Sequence, residues 1–167
     1  MAAASPTPLG AVTRGLIAGV TGTALMTAWQ ELSAKLISSD EEESSEEPSD
    51  PWEEAPAPAK VAQRFVKGMF GKDLSAESIP VATNAMHWGY GTGWGIVYGL
   101  VAGTRGRSRL GGGLAFGTAV WLASYAQLVP MGLYEPPWTY EPGELALDLS
   151  YHLAYGAGVA GGYAAVS

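Results

Sequence analysis

Four stretches of the chain are long, apolar and almost free of charge: Gly15 to about Gln30, Val81 to Gly103, Leu110 to about Leu133, and Leu145 to Val166. A bilayer crossing takes roughly 20 apolar residues. The second and third stretches have that length outright, the first reaches it with Glu31 and Lys35 at the interface, and the fourth carries Asp148 and His152 within it. The pattern predicts an all-α, polytopic membrane protein with four transmembrane helices over 14–37, 80–103, 110–133 and 144–166. Between the first two, Val61, Phe65 and Met69 recur every four residues, with Lys60, Arg64 and Lys67 on the other side. That spacing predicts a short amphipathic helix over 59–72, lying in the membrane interface or packed on the other helices.

The polar segments set the order and the orientation. Residues 1–13 are small, polar and proline-containing, and read as a disordered tail; 38–58 is a Ser/Glu/Pro linker that cannot bury enough apolar surface to order itself. The loop 104–109 holds Arg105, Arg107 and Arg109, whereas the loop 134–143 is built from prolines, Tyr134, Trp138 and Tyr140 and has no Lys or Arg. Short basic loops stay cytoplasmic, which puts both termini inside a bacterial inner membrane. Lys35, Lys60, Arg64, Lys67 and Lys72 then fall in the first outer loop, a long one of the kind that obeys the rule weakly. Arg14 before Gly15-Leu-Ile-Ala-Gly19 could also open a signal peptide, but the run leads into Trp29-Gln30-Glu31 without a small-x-small cleavage site, so an uncleaved span is expected.

Charge changes the picture in one respect. Nine of the sixteen acidic residues lie between Asp40 and Glu54, and without them the formal charge moves from −7 to +2. The acidity therefore describes one segment, which is a solvated linker or a cation- or partner-recruiting tail. The absence of cysteine removes disulfides, thiolate metal sites and cysteine nucleophiles.

The chain's two histidines stand in matching frames. His87-Trp-Gly-Tyr90-Gly91-Thr-Gly93 and His152-Leu-Ala-Tyr155-Gly156-Ala-Gly158 share a His-x-x-Tyr-Gly-x-Gly pattern, with Tyr98 and Tyr163 five residues after the last glycine of each. On a helix each histidine and its two tyrosines fall within a sector of about 80°. Gly15-x-x-x-Gly19 and Gly113-x-x-x-Gly117 open the first and third spans, so the chain reads as two similar helical hairpins related by an axis along the membrane normal. A Gly-rich chain aligns by chance at some offset, which is the competing explanation. Gly89, Gly93, Gly99 and Gly103 form, with Thr92, a small face opposite His87 for close helix packing or homo-oligomer formation. The period-two alternation of Trp88 to Gly95 also suits a barrel strand, but barrels need at least eight strands of about ten residues.

Three readings of the histidines follow. His87, His152 and Asp148, with Glu31 as a further member, could form a proton-titrating or metal-binding cluster, although no spacing specifies a metal. Alternatively each histidine bonds a tyrosine or carbonyl of a neighbouring helix and holds the helices in register. A histidine base in an intramembrane enzyme is the third, and no nucleophile motif accompanies it. The candidate polar cluster is thus His87, Tyr90, Tyr98, Asp148, His152, Tyr155 and Tyr163, with no resident cofactor, no catalytic residue and no nucleic-acid partner expected.

Gly15-Leu-Ile-Ala-Gly-Val20, Pro130-Met-Gly-Leu133 with the prolines and Trp138 after it, and the Gly/His/aromatic fourth span resemble the YagU-like bacterial inner-membrane proteins. The resemblance implies a four-span architecture and carries no assigned activity. The expectation is a non-enzymatic membrane component, structural, assembly- or stress-related; the alternative is a proton- or metal-responsive transporter-like or sensor protein.

Overall fold

The computed structural model describes residues 7–37, 50–105 and 110–167, without the side chains of 103–105. The tail before Thr7, most of the acidic linker, and Arg107 and Arg109 of the basic loop lie outside those residues. Among the described residues the chain is all-helical, with five helices and no strand: α1 (Pro8–Ile37), α2 (Ala57–Phe70), α3 (Ile79–Arg105), α4 (Leu110–Leu128) and α5 (Pro142–Ala165). One of them, α1, is long and apolar enough by composition to cross a membrane.

Helix boundaries follow local chemistry. The first helix starts six residues earlier than its apolar run predicts, because Thr7 Oγ1 accepts from the Gly10 N–H and Pro8 occupies the first helical position. Pro142 opens α5 in the same way, with Glu144 in its first turn beside the positive end of the helix dipole. At the other end of α2, Gly71 takes a left-handed φ of 65° and its N–H caps the Lys67 carbonyl. The fourth helix stops at Leu128, five residues before its apolar run ends, because Pro130 has no N–H to continue the ladder. Gly132 (φ 64°) then turns the chain so that the Leu133 N–H reaches back to the Leu128 carbonyl.

Small residues set the packing. A Cβ added to Gly15 would stand 2.7 Å from the Gly95 carbonyl oxygen and from Ile96 Cα, and one on Gly19 would stand 2.8 Å from Thr92 Cα. Backbone therefore meets backbone between α1 and α3. A second small face of α1 does the same against α5, where a Cβ on Gly158 would lie 2.8 Å from Gly22 Cα and one on Gly162 3.2 Å from Ala18 Cα. In the other hairpin, Gly113 and Gly117 of α4 close on Gly156 and His152 of α5. The two x-x-x-spaced glycine pairs thus occupy corresponding places, each against the next long helix of its own hairpin, and every such pair runs antiparallel. Between the hairpins the two-fold relation expected from the sequence is not kept: Tyr98 and Tyr163, the last residues of the two matching frames, meet edge to face at 5.7 Å, but α1 packs backbone to backbone on α5 while the corresponding pair, α4 and α3, does not.

Two of the expected packing glycines do not pack. A Cβ on Gly89 or Gly93 would find nothing within 4 Å, and the face of α3 that meets α1 is instead Gly91, Gly95 and Gly99. Glycines at 89, 91, 93 and 95 populate both sides of the helix, and only the register against α1 selects one. Gly103 lies outside the described side chains.

On the remaining side, α3 and α4 meet through long side chains, with Phe116 packed edge to face against Trp94 (6.0 Å) and Tyr98 (5.0 Å). That wider gap is where the interior of the molecule opens. The second helix buries Ala59 and Ala62 against Ala82 of α3 and leaves Phe65, Met69 and Phe70 exposed. Its own Arg64 donates to the Met131 carbonyl beyond α4, so α2 spans from α3 to the α4–α5 connection.

Candidate functional site

The wider side encloses a cavity of ≈ 670 Å³ at the end of the molecule where α1 and α4 finish and α3 and α5 begin. Pro56, Ala57, Pro58 and Val61, from the start of α2 and just before it, form its roof. Both histidines line it, His87 from α3 and His152 from α5, together with Asp148, Tyr90 and Tyr155. Five of the seven residues of the sequence-derived cluster are brought together. Tyr98 and Tyr163 are not among them: they lie in the buried aromatic layer with Phe116. Glu31 is exposed and does not line the cavity, since α1 turns Thr23, Met26, Thr27 and Gln30 inward and leaves Glu31 outside.

The polar groups hold one another across helices. His87 Nε2 lies 3.2 Å from Thr27 Oγ1 of α1. His152 Nδ1 lies 3.0 Å from the Asp148 backbone carbonyl and 3.7 Å from its Oδ1. The other carboxylate oxygen accepts from Trp121 Nε1 (2.8 Å) and from the Tyr125 hydroxyl (3.1 Å), both on α4. Tyr155 donates to the Gly91 carbonyl at 2.6 Å, tying α5 to α3, and Gln127 of α4 donates to the Tyr90 hydroxyl at 3.0 Å. Two further bonds join α1 to α5, Trp29 to Ser150 (2.9 Å) and Ser33 to Tyr151 (2.9 Å). Among the described residues no buried side-chain nitrogen or oxygen lacks a partner.

Exposure separates the roles of the ionisable groups. The His152 side chain keeps 11% of its surface and Asp148 keeps 29%, so the carboxylate is the one that a cavity occupant could reach. Burial, with the nearby Asp148 charge adding to it, pushes the Tyr134 hydroxyl at the rim up to about 12. Tyr134 is therefore a neutral hydrogen-bonding group at any physiological pH. No group of three or more His, Asp or Glu side chains among the described residues stands close enough to hold one metal ion. The candidate ligand set His87, His152 and Asp148 shares a cavity without converging on a point within it.

Sequence reasoning missed Thr27, Trp121, Tyr125 and Gln127. Trp121 and Tyr125 carried a usable signal, two aromatic donors one helical turn apart in an otherwise aliphatic run. Thr27 carried none, because its role depends on which face α1 turns to α3.

Arg64 is the one long-range side-chain tie between α2 and the α4–α5 connection that the described hydrogen bonds contain. Replacing it with alanine is expected to loosen the roof while leaving thermal stability nearly unchanged, because exposed contacts contribute little. A Ser124→Cys reporter in the cavity wall should then react faster with a polar maleimide in the Arg64→Ala background; equal rates would show that the roof does not control access.

No family model matches the chain, and no curated protein or solved structure is significantly similar to it.

Proposed function

We propose that the chain is a four-span membrane protein of non-enzymatic type that binds a ligand or protons in the cavity shared by its two histidines. The observation that carries the functional part is the convergence of both histidines, from two different hairpins, on one cavity with Asp148 in its wall. Intramembrane ionisable groups are costly and mark binding sites or proton paths when they face a cavity.

The membrane part rests on an inverted distribution of side chains. Among the described residues the buried apolar side chains are those of alanine, valine and tyrosine, with no leucine or isoleucine. Leu16, Ile17, Val20, Leu25, Val97, Leu100, Leu110 and Leu122 are all exposed. A water-soluble protein puts its large aliphatics inside, whereas helices in lipid pack through small residues and turn the large ones out. The apolar window of α1 is only 33% buried, too little for the core helix of a soluble protein. Glycine, serine and the aromatic residues lower the mean hydropathy of α3, α4 and α5, and these are the residues that make their packing faces.

Charge supports the orientation. Among the described residues every acidic side chain falls on a segment at the cavity end, in company with Lys35, Lys60, Arg64, Lys67 and Lys72 on the long connection between α1 and α3, while the opposite end has Arg14 and Arg105 and no acid; in the sequence, the short connection that follows Arg105 carries Arg107 and Arg109. Short basic connections stay cytoplasmic whereas long ones obey the rule weakly, so the short arginine-bearing connection between α3 and α4 sets the orientation: the cavity faces the periplasm, both termini are inside a bacterial inner membrane, and α2 lies in the outer interface with Phe65, Met69 and Phe70 toward lipid. The resemblance to YagU-like proteins agrees with this architecture and adds no activity.

A purely structural role for the histidines has an observation of its own, since each ring already bonds a helix partner. The double variant His87→Ala, His152→Ala separates the two. Retained melting temperature with a lost ligand- or pH-dependent fluorescence response supports the binding role. A lower melting temperature with the response intact supports the structural one.

A further inference from the structure

We infer that the cavity is a binding site for a small organic cation with an apolar body, an inference that rests on the membrane-embedded, cavity-binding reading above. Apart from the imidazoles, Asp148 is the one formally charged side chain among the described residues of the lining, and no described Lys or Arg lines the cavity. Its carboxylate has two α4 donors on one oxygen, while the other faces only His152 at 3.7 Å and the side chain retains 29% of its surface. The anionic charge is thus fixed in place and left partly open. The same cavity is lined by Tyr90 and Tyr134, whose ring faces suit an ammonium or phosphonium group, and by Met26, Met86 and Met131, which adapt to varied apolar shapes.

Size and field point the same way. A volume of ≈ 670 Å³ suits a drug-sized molecule and far exceeds a bare ion. The cavity opens at the end of the molecule where the described acidic side chains lie, Glu135 and Glu141 on the adjoining connection and Glu144 in the first turn of α5 among them, and these acids outnumber the Lys and Arg of that end. That field concentrates cations and repels anions before either reaches the mouth. A metal ion fits less well, because the described acidic and imidazole groups do not cluster around one point.

The test uses the full chain in nanodiscs, with tetraphenylphosphonium as cation and tetraphenylborate as the anion of the same shape, followed by tryptophan fluorescence. Saturable binding of the phosphonium and only unsaturable lipid partitioning of the borate are expected. Asp148→Asn should weaken phosphonium binding about tenfold or more, the order expected for removing one partly screened charge partner. Since that variant could perturb the α4–α5 contact, Gln127→Lys supplies a second arm: Gln127 is exposed and lines the cavity, so a lysine there folds normally and should weaken binding similarly. Glu144→Gln, outside the lining, should change affinity by less than about twofold. Absence of saturable phosphonium binding, or equal affinity in wild type, Asp148→Asn and Gln127→Lys, overturns the inference. If the same preparations remain membrane-integrated and show the histidine-dependent response, the ligand class alone is wrong; if they do not integrate, the underlying reading has failed as well.

Discussion

Gly95→Ala is expected to destabilise the protein by about 1–3 kcal/mol, and Gly95→Leu to prevent folding, because inserted atoms in a close-packed contact cannot be accommodated without moving the helices. The Cβ of residue 95 would lie 2.5 Å from the Gly19 nitrogen and 2.6 Å from the Gly15 carbonyl oxygen. Neither atom is the end of a flexible side chain, so relief requires α1 and α3 to separate along their whole length. Separation forfeits the dispersion contacts that hold small-residue helix pairs together, and in the proposed membrane setting no hydrophobic gain offsets that loss. Two residues earlier, Gly93→Ala meets nothing within 4 Å. There the methyl group only raises helix propensity, so the variant should be neutral or more stable by up to about 1 kcal/mol. Thermal or SDS-induced unfolding in detergent measures both, and similar behaviour of the two variants would refute the assigned α1–α3 interface.

The contrast also shows what the sequence could and could not disclose. The helices were legible because apolar runs of nearly constant length alternate with Pro-, Glu- and Arg-bearing segments. The pairing of α1 with α3 and of α4 with α5 was legible because His87 and His152 repeat a frame, but the way the pairs meet was not, since α1 packs closely on α5 while α4 stands apart from α3. The packing face of α3 was not, because its glycines recur every two residues and a helical wheel assigns half of them to either side. Selecting Gly91, Gly95 and Gly99 over Gly89 and Gly93 needs the register of a second helix, a tertiary fact. The site divides similarly. The local frame put His87 and Tyr90 on one face, and the i, i+4 spacing joined Asp148 to His152; the partners that anchor them, Thr27, Trp121 and Tyr125, come from helices whose rotation about their axes no local pattern fixes. The roof over the cavity was hidden for a related reason. Amphipathicity announced α2, but Ala59 and Ala62, the residues that dock it on α3, are too small to register in such a pattern.

Asp148→Ala should cost about 1–3 kcal/mol, since it leaves the Trp121 and Tyr125 donors without their acceptor. The Trp121 N–H and Tyr125 hydroxyl both end on one carboxylate oxygen, and these bonds join α4 to α5 one turn beyond the glycine contact at Gly117. Asp148→Asn behaves differently. Its amide oxygen can keep one or both donors, so most of the stability should remain, while the charge that would hold a cation is gone. A double-mutant cycle with Tyr125→Phe tests the structural half: a coupling energy of about 0.5–1.5 kcal/mol is expected between residues 125 and 148, and additivity would mean that the bond contributes nothing. The two substitutions at one position thus divide what the carboxylate does for packing from what it does for an occupant. If Asn lost as much stability as Ala, the negative charge itself would be needed for the α4–α5 contact, and the position could not serve as an exchangeable counter-ion.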